Sequence, residues 1–335
     1  MVKDNYLAWR IRPEDFSHHW SDPEKLKFFA QYAILAPSGH NTQPWQFSVS
    51  DGALQLSINP ARHLPFSGKL AAEPQVSLGA CLESLRLAAR GFGYELTITY
   101  QFKNDRIALI ALGARTSAEP SLLQAIVERT SNRNPFDHHN LSLDLLKKIT
   151  SSDLEDVAVR LVSTRADINF LADQTAQATR TIMTDSRFRF ELSKWVRNNI
   201  TKQYDGMPAF AQGMPTPPSL IARHIIKNID ISGSQAKIDG DRVINSADIV
   251  LILIKEPSNQ AFVNAGRLYD QICVLAQQHG IASSGVGAAV IDLGTKAAIC
   301  EHFKLDQQPL ALIRLGMPIK SARHTPRWPL SKVFG

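Results

Sequence analysis

Two stretches of this 335-residue chain share an uncommon pattern: Gly79–Gly93 reads GACLESLRLAARGFG and Gly266–Gly280 reads GRLYDQICVLAQQHG. In both, glycines at the same spacing enclose a helix-like apolar run. Leu82 coincides with Tyr269, Leu85 with Ile272 and Ala89 with Ala276. Each stretch is followed by a strand-like run that closes on glycine, ALIALG at Ala108–Gly113 and ALIRLG at Ala311–Gly316. One amphipathic helix looks much like another, and so does one buried strand. The same two elements in the same order point to an internal duplication. Apolar residues cover much of the circumference of both helices, which places them in a core rather than on a surface.

The rest of the chain fits around this repeat. With 44% hydrophobic residues there is enough apolar material for two ordinary cores or one large one. The longest apolar runs, such as Ile249–Ile254, fall far short of the roughly 18 residues of a membrane span. The mixed-charge start has no signal-peptide pattern, so a cytoplasmic protein is expected. Cys81, Cys273 and Cys300 are odd in number and widely spaced, without a C-x-x-C pair for a metal. The net charge of +6 is scattered, with no basic run interleaved with aromatics, which argues against a nucleic-acid partner.

Strands are expected at Phe47–Val49, Leu54–Ile58, Leu96–Tyr100 and Ile107–Leu112 for a first sheet, and at Val157–Val162, Ile249–Ile254 and Leu310–Leu315 for a second. Helices near Glu24–Leu35, Leu122–Glu128, Leu143–Ile149 and Ile168–Asn198 complete an α+β architecture. In Asp205–Ser219, DGMPAFAQGMPTPPS, four prolines exclude a long regular element, and the segment reads as a linker or as a functional lid.

Three motifs carry chemistry. Ala36–Trp45, APSGHNTQPW, follows a predicted helix; its short polar side chains and exposed backbone suit either a helix-ending turn or a loop that reads the edge of a flat heteroaromatic ring. Glu128–Phe136, ERTSNRNPF, offers two guanidiniums and a hydroxyl at Arg129, Ser131 and Arg133, a donor set for a dianionic phosphate or a solvated helix end. Gly280–Gly287, GIASSGVG, lets backbone amides approach a ligand, or simply closes a helix.

Taken together, P-S-x-x-N-x-Q-P-W at Pro37–Trp45 resembles the flavin-edge loop of the nitroreductase family, and Arg129, Ser131 and Arg133 resemble its R-x-S-x-R/K phosphate signature. With Arg62-His63-Leu64-Pro65, the tandem halves and the proline-rich segment, the chain resembles the Acg-type branch over nearly its whole length. The resemblance implies a nitroreductase-like fold in two fused, homologous halves forming a pseudo-dimer. Residues 1–115 would carry the flavin-edge loop, and residues 116–335 the phosphate motif, with a lid insertion at about 200–240.

It implies one FMN, its ring met by Pro37, Ser38, Gly39, Asn41 and Gln43 on one side and by Ser284, Gly285 and Gly287 near the N5 and O4 edge. Arg129, Ser131 and Arg133 would hold its phosphate, with Arg327 or alternatively Arg323 returning from the tail. Where relatives often have a second serine this chain has Gly39, so only a backbone contact is expected there. Where they often have a second arginine it has Trp328.

Because the flavin does the chemistry, no catalytic side chain and no metal are needed, and His40 is read as structural. The expected activity is two-electron reduction of a nitro compound, quinone or activated alkene by NADH or NADPH, in a monomeric pseudo-dimer or weak homodimer without membrane or nucleic-acid partner. The alternative is a flavin-binding or flavin-sequestering protein without turnover. A phosphate-binding regulator without flavin fits the Ala36–Trp45 loop poorly.

Overall fold

Local signals start the principal helices. Ser21 and Glu24 close a capping box in front of α1 (Asp22–Ala33), with the Ser21 amide donating to Glu24 Oε2 at 2.8 Å. The computed structural model describes residues 4–62, 64, 72–151 and 154–335; of the Arg62–Pro65 stretch, His63 and Pro65 lie outside the described residues. After α1 come β1 (Trp45–Ser50), β2 (Ala53–Ile58), α2 (Glu73–Gly91), β3 (Tyr94–Tyr100), β4 (Arg106–Arg115), α3 (Pro120–Glu128) and α4 (Leu143–Thr150). The chain continues through β5 (Val157–Val162), α5 (Arg165–Thr184), α6 (Ser186–Trp195), α7 (Ala222–Asn228), α8 (Ser232–Ile244) and β6 (Asp248–Ile254). It ends with α9 (Asn259–Gln278), β7 (Ala282–Gly285), α10 (Leu293–Phe303) and β8 (Gln308–Gly316), followed by an irregular tail.

The strands form two four-stranded antiparallel sheets, β1-β2-β4-β3 and β5-β6-β8-β7. Strand order is the same in both, and in both one long helix, α2 or α9, connects the second strand to the third. The fold is therefore α+β and internally duplicated. The two connecting helices pack on each other through the first glycines of the sequence repeat. A Cβ on Gly79 would stand 2.0 Å from the Val263 carbonyl oxygen, and one on Gly266 would stand 1.9 Å from that of Val76. Reciprocal contacts of this kind belong to a two-fold interface, here within one chain.

The halves differ in how their sheets are covered. All seven residues of β6 are buried. Val250, Ile252 and Ile254 enter a core with α4 and α9, while Ile249, Leu251 and Leu253 enter another with α5 and α10, which explains a continuous apolar run in place of alternation. In the first half one core contains α1, α2 and the inner face of the sheet. It also takes Leu122, Leu123 and Ile126 of α3, and Val333 from the tail, so packing does not divide at residue 115. The tail is tied there by the Phe47 amide donating to Val333 carbonyl at 2.7 Å.

The expected helix Ile168–Asn198 is in fact two. Asp185 (φ −72°, ψ 115°) ends α5, and its carboxylate caps α6 by accepting the Arg187 amide at 2.8 Å. Without a proline or glycine at the break, the apolar periodicity conceals it. The glycine-rich Gly280–Gly287 is partly strand, since β7 pairs with β8. The residues from about 200 to 240 are not one insertion either, because α8 starts at Ser232 and packs along α5.

Candidate functional site

The turn after α1 is backbone-strained. His40, Asn41 and Gln43 have φ of 48°, 57° and 53°, a region that non-glycine residues enter only where surroundings enforce it. The enforcement is visible. Asn41 Nδ2 donates to the Gly206 and Pro326 carbonyls at 2.9 and 3.0 Å, and Asn41 Oδ1 accepts from Arg327 Nη1 at 2.7 Å. Gln43 Nε2 donates to Tyr204 carbonyl at 2.7 Å, and its Oε1 accepts the Trp328 amide at 2.8 Å. These amides lock the turn to the proline-rich segment and to the tail. Gln43, expected at a ring edge, is fully buried and lines neither of the two cavities.

The first cavity, about 320 Å³, is lined by Pro37, Ser38 and Asn41 and by a concentration of cations: Arg129, Arg133, Lys320, Arg323 and Arg327. Ser131 stands among them. The Leu35 carbonyl, just past α1, accepts from both Arg129 Nη2 at 2.9 Å and Arg327 Nη2 at 3.2 Å. Arg327 also lies over the Trp9 ring at 5.0 Å, and its Nε has no partner among the described residues. Burial, and then the neighbouring Arg129, push Arg327 down to about 9; burial, and then Arg242, hold Arg133 below its ordinary value. The nearest carboxylate to Arg129 is Asp270, with Oδ1 3.8 Å from Nε, and burial pushes Asp270 up to about 6. Buried guanidiniums with so little opposing charge favour an anion. Arg323 is exposed and lies over the Phe210 ring at 4.2 Å, so of the two tail arginines Arg327 is the one built into the wall.

The second cavity, about 440 Å³, shares Pro37, Ser38, His40, Ser131, Arg133 and Met207 with the first. Ser284, Gly285 and Gly287 line it, and Val76, Ala80, Val286 and Leu312 make it apolar. Ser131 forms a parallel bridge with Ser283, and the Asn132 amide donates to Ser283 carbonyl at 2.9 Å. That pairing brings the arginine motif beside the glycines of the β7 end, although some 150 residues separate them. Gly39 also lines this cavity, but its amide already donates to Glu73 Oε1 at 2.8 Å and to Ser77 Oγ at 3.2 Å. The backbone contact expected of Gly39 is thus occupied from within the protein. Sequence reasoning missed Glu73, whose position in the first turn of α2 reads as a solvated helix start, and Tyr269, which reads as a core position of the repeat.

Met207, Phe210 and Met214 of the proline-rich segment line the first cavity, and Met207 the second as well. The segment is irregular apart from a two-residue strand at Met207–Pro208, paired with Val196–Arg197, and short helical turns at Ala209–Gln212 and Thr216–Ser219. Asn199 holds it: Oδ1 accepts the Phe210 amide at 2.6 Å and Nδ2 donates to Met214 carbonyl at 2.9 Å.

Similarity to known proteins extends along nearly the whole chain. A Mycobacterium tuberculosis protein named "Putative NAD(P)H nitroreductase Rv3131" is 24% identical over 331 residues, covering 96% of this chain and 94% of its own. A second from that organism, "Putative NAD(P)H nitroreductase acg", is 20% identical over 321 residues, covering 92% and 95%. Over nearly its whole length the chain is similar to these proteins named as putative nitroreductases. No family model matches it. Among solved structures, the FMN and NADPH-dependent nitroreductase NfnB from sphigopyxis sp. strain HMH aligns at a TM-score of 0.42 and 17% identity, over 63% of this chain and 96% of that one. NfnB of Mycobacterium smegmatis, solved with NADPH, aligns at 0.40 and 14%, over 64% and 96%. Among the described residues, no helix is long and apolar enough to cross a membrane.

Proposed function

We propose that this chain binds one FMN across the two joined cavities and transfers two electrons from NADH or NADPH to a nitro compound, quinone or activated alkene. The observation that carries the reading is the cluster of Arg129, Ser131, Arg133 and Arg327 on the wall of one cavity, which shares lining residues with a larger, mostly apolar one. Its donor set fits a terminal phosphate, because Arg327 Nε is buried without a partner and the guanidiniums outnumber the carboxylates near them. Bound there, FMN would supply the two-electron redox chemistry. The chain's own residues do the rest: the arginines neutralise the phosphate, Pro37, Ser38, Ser284 and Gly285 shape the slot for the ring, and Met207 helps to exclude water.

The turn at Pro37–Asn41 and the Arg129–Arg133 motif each occur once, so one composite site per chain follows, in a cytoplasmic pseudo-dimer with residues 1–115 and 116–335 as its sequence halves. The test is to heat-denature purified or FMN-reconstituted protein and chromatograph what is released. About one FMN per chain is expected; FAD, no flavin, or two flavins per chain would overturn the reading.

A second reading, a flavin-sequestering protein, is favoured by the lid contacts of Asn41 with Gly206 and of Asn199 with Phe210 and Met214. Mixing anaerobic holoprotein with NADH or NADPH separates the two, since bleaching of the flavin absorption belongs to the enzyme and its absence to sequestration.

A further inference from the structure

Glu73 stands at the start of α2, on the wall of the larger cavity, opposite the strained turn. Its Oε1 accepts the Gly39 amide at 2.8 Å and the Ser77 hydroxyl at 2.5 Å. Among the described residues its Oε2 is buried without a partner. Beside it in the same wall is His40, whose Nδ1 is buried and unpartnered too. The structural role of a carboxylate that merely steadies Gly39 would be met by Oε1 alone. An acid withdrawn from bulk water, on a residue that lines a substrate-sized space, can hold a proton and release it there.

We propose that Glu73 is the proton donor to the electron acceptor reduced in the larger cavity. The inference rests on the FMN-oxidoreductase reading. A quinone taken to its hydroquinone gains two electrons and two protons. A hydride equivalent originating from NAD(P)H accounts for both electrons and one proton; the Glu73 O–H bond breaks and supplies the second proton to the oxygen that receives the electron pair. The carboxylate left behind keeps its two donors, the Gly39 amide and the Ser77 hydroxyl, and is reprotonated from water. The charge environment matches. Burial pushes Glu73 up to about 7; the Ser77 and Gly39 hydrogen bonds oppose this, and Glu191 on α6 reinforces it. His40 is pushed down to about 4 by burial, with Glu191 and Arg133 acting on it in opposite senses, so it is neutral at pH 7 and no rival as an acid.

The test uses holoprotein with Glu73→Gln and Ser77→Ala. In wild type, oxidation of the pre-reduced protein by a benzoquinone is expected to slow tenfold per pH unit above about pH 7, whereas Glu73→Gln should be slow and flat with pH, with reduction by NAD(P)H little changed. Ser77→Ala removes a donor to the carboxylate and should move the break to higher pH. A readout independent of turnover comes from thermal unfolding of flavin-free protein. A carboxyl raised in the folded state binds more protons than in the unfolded state, so wild type should lose stability relative to Glu73→Gln as pH rises from about 4.5 to 7. Coincident pH profiles of wild type and Glu73→Gln in both assays overturn the proposal. A wild type that holds no FMN, or is not reduced, instead overturns the function on which it rests.

Discussion

Glu83 on α2 and Asp270 on α9 occupy matching places in the two halves, because an offset of 187 residues carries Gly79 to Gly266 and Glu83 to Asp270. Their surroundings differ. Glu83 accepts from Arg86 of its own helix at 2.6 Å and from Arg267 of the other at 3.1 Å. Burial works against it, yet those two arginines keep its carboxyl below the ordinary range. Asp270 has only the Ser84 hydroxyl at 2.5 Å and Arg129 at 3.8 Å, and burial pushes it up to about 6. On one side of the pseudo-two-fold axis the acid has become a closed structural ion-pair network. On the other, its potential partner Arg129 faces the cavity. One acid of the crossing is thus neutralised within the protein and its counterpart is only weakly so.

The symmetric part of the comparison can be broken first. Gly79→Val and Gly266→Val each force a side chain into backbone of the opposing helix, where no flexible atom can yield. Each is expected to cost about 3 kcal/mol or more, read by urea denaturation. Gly280→Ala is the control: it meets nothing within 4 Å, and only its φ of +71° is strained. Unequal costs at Gly79 and Gly266 would contradict a reciprocal crossing.

The asymmetric part follows. Glu83→Gln leaves Arg86 and Arg267 without their carboxylate in a mostly buried setting, and about 3 kcal/mol of destabilisation is expected. Asp270→Asn should cost less, about 1 kcal/mol, and the two should diverge with pH. A carboxyl lowered in the folded state contributes stability above its unfolded pKa and loses it as pH falls through the folded value, so the advantage of wild type over Glu83→Gln shrinks in acid. A raised carboxyl behaves oppositely. Between about pH 4 and 6, wild type should lose stability relative to Asp270→Asn as pH rises. Parallel curves for both pairs would mean that the two acids are equivalent after all.

The cationic wall gives a smaller effect confined to binding. Arg129→Ala, Arg133→Ala and Arg327→Ala should each weaken FMN by about 1.5–3 kcal/mol, roughly ten- to a hundredfold, with Arg323→Ala near wild type because that side chain is exposed. Fluorescence titration of apoprotein with FMN reads this. Equal losses at Arg323 and Arg327 would remove the distinction drawn between them.

Much of this comparison was legible in the sequence, in uneven ways. The glycine-bounded repeat announced both connecting helices and the duplication, because close helix crossing needs glycine and leaves it in register. The arginine motif and the turn at Pro37–Asn41 were visible as local patterns of donors. What they do was less visible. Asn41 and Gln43 look like ligand-reading amides, but their partners, Gly206, Pro326, Tyr204 and Trp328, lie more than 160 residues away, and only tertiary structure shows those donors to be taken. The break at Asp185 and the helix α8 escaped for the same reason: capping and helix-on-helix burial decide them, not periodicity. Glu73 was hidden because an acid in a first helical turn is ordinary on a surface. Its burial against Gly39 is a property of two elements meeting.

The gentlest perturbation concerns the segment that covers the first cavity. Asn199 is outside both cavities, yet its side chain accepts the Phe210 amide and donates to the Met214 carbonyl, fixing the two residues that close over the cationic wall. Asn199→Ala removes those two hydrogen bonds and no lining atom. At about 1 kcal/mol for each bond, the closed arrangement should weaken by up to about 2 kcal/mol, and the segment should open more often. Two rates should rise together by several-fold: FMN dissociation, followed as fluorescence recovery in excess apoflavodoxin-type acceptor or by dilution, and anaerobic flavin reduction by NADH or NADPH. The chemistry of the cavity is untouched, so the flavin spectrum should keep its wild-type shape. If dissociation quickens while reduction does not, the segment retains the cofactor without gating the nicotinamide. If neither changes in a variant that folds and binds FMN, the contacts of Asn199 with Phe210 and Met214 do not control access, and sequestration loses the observation that favours it.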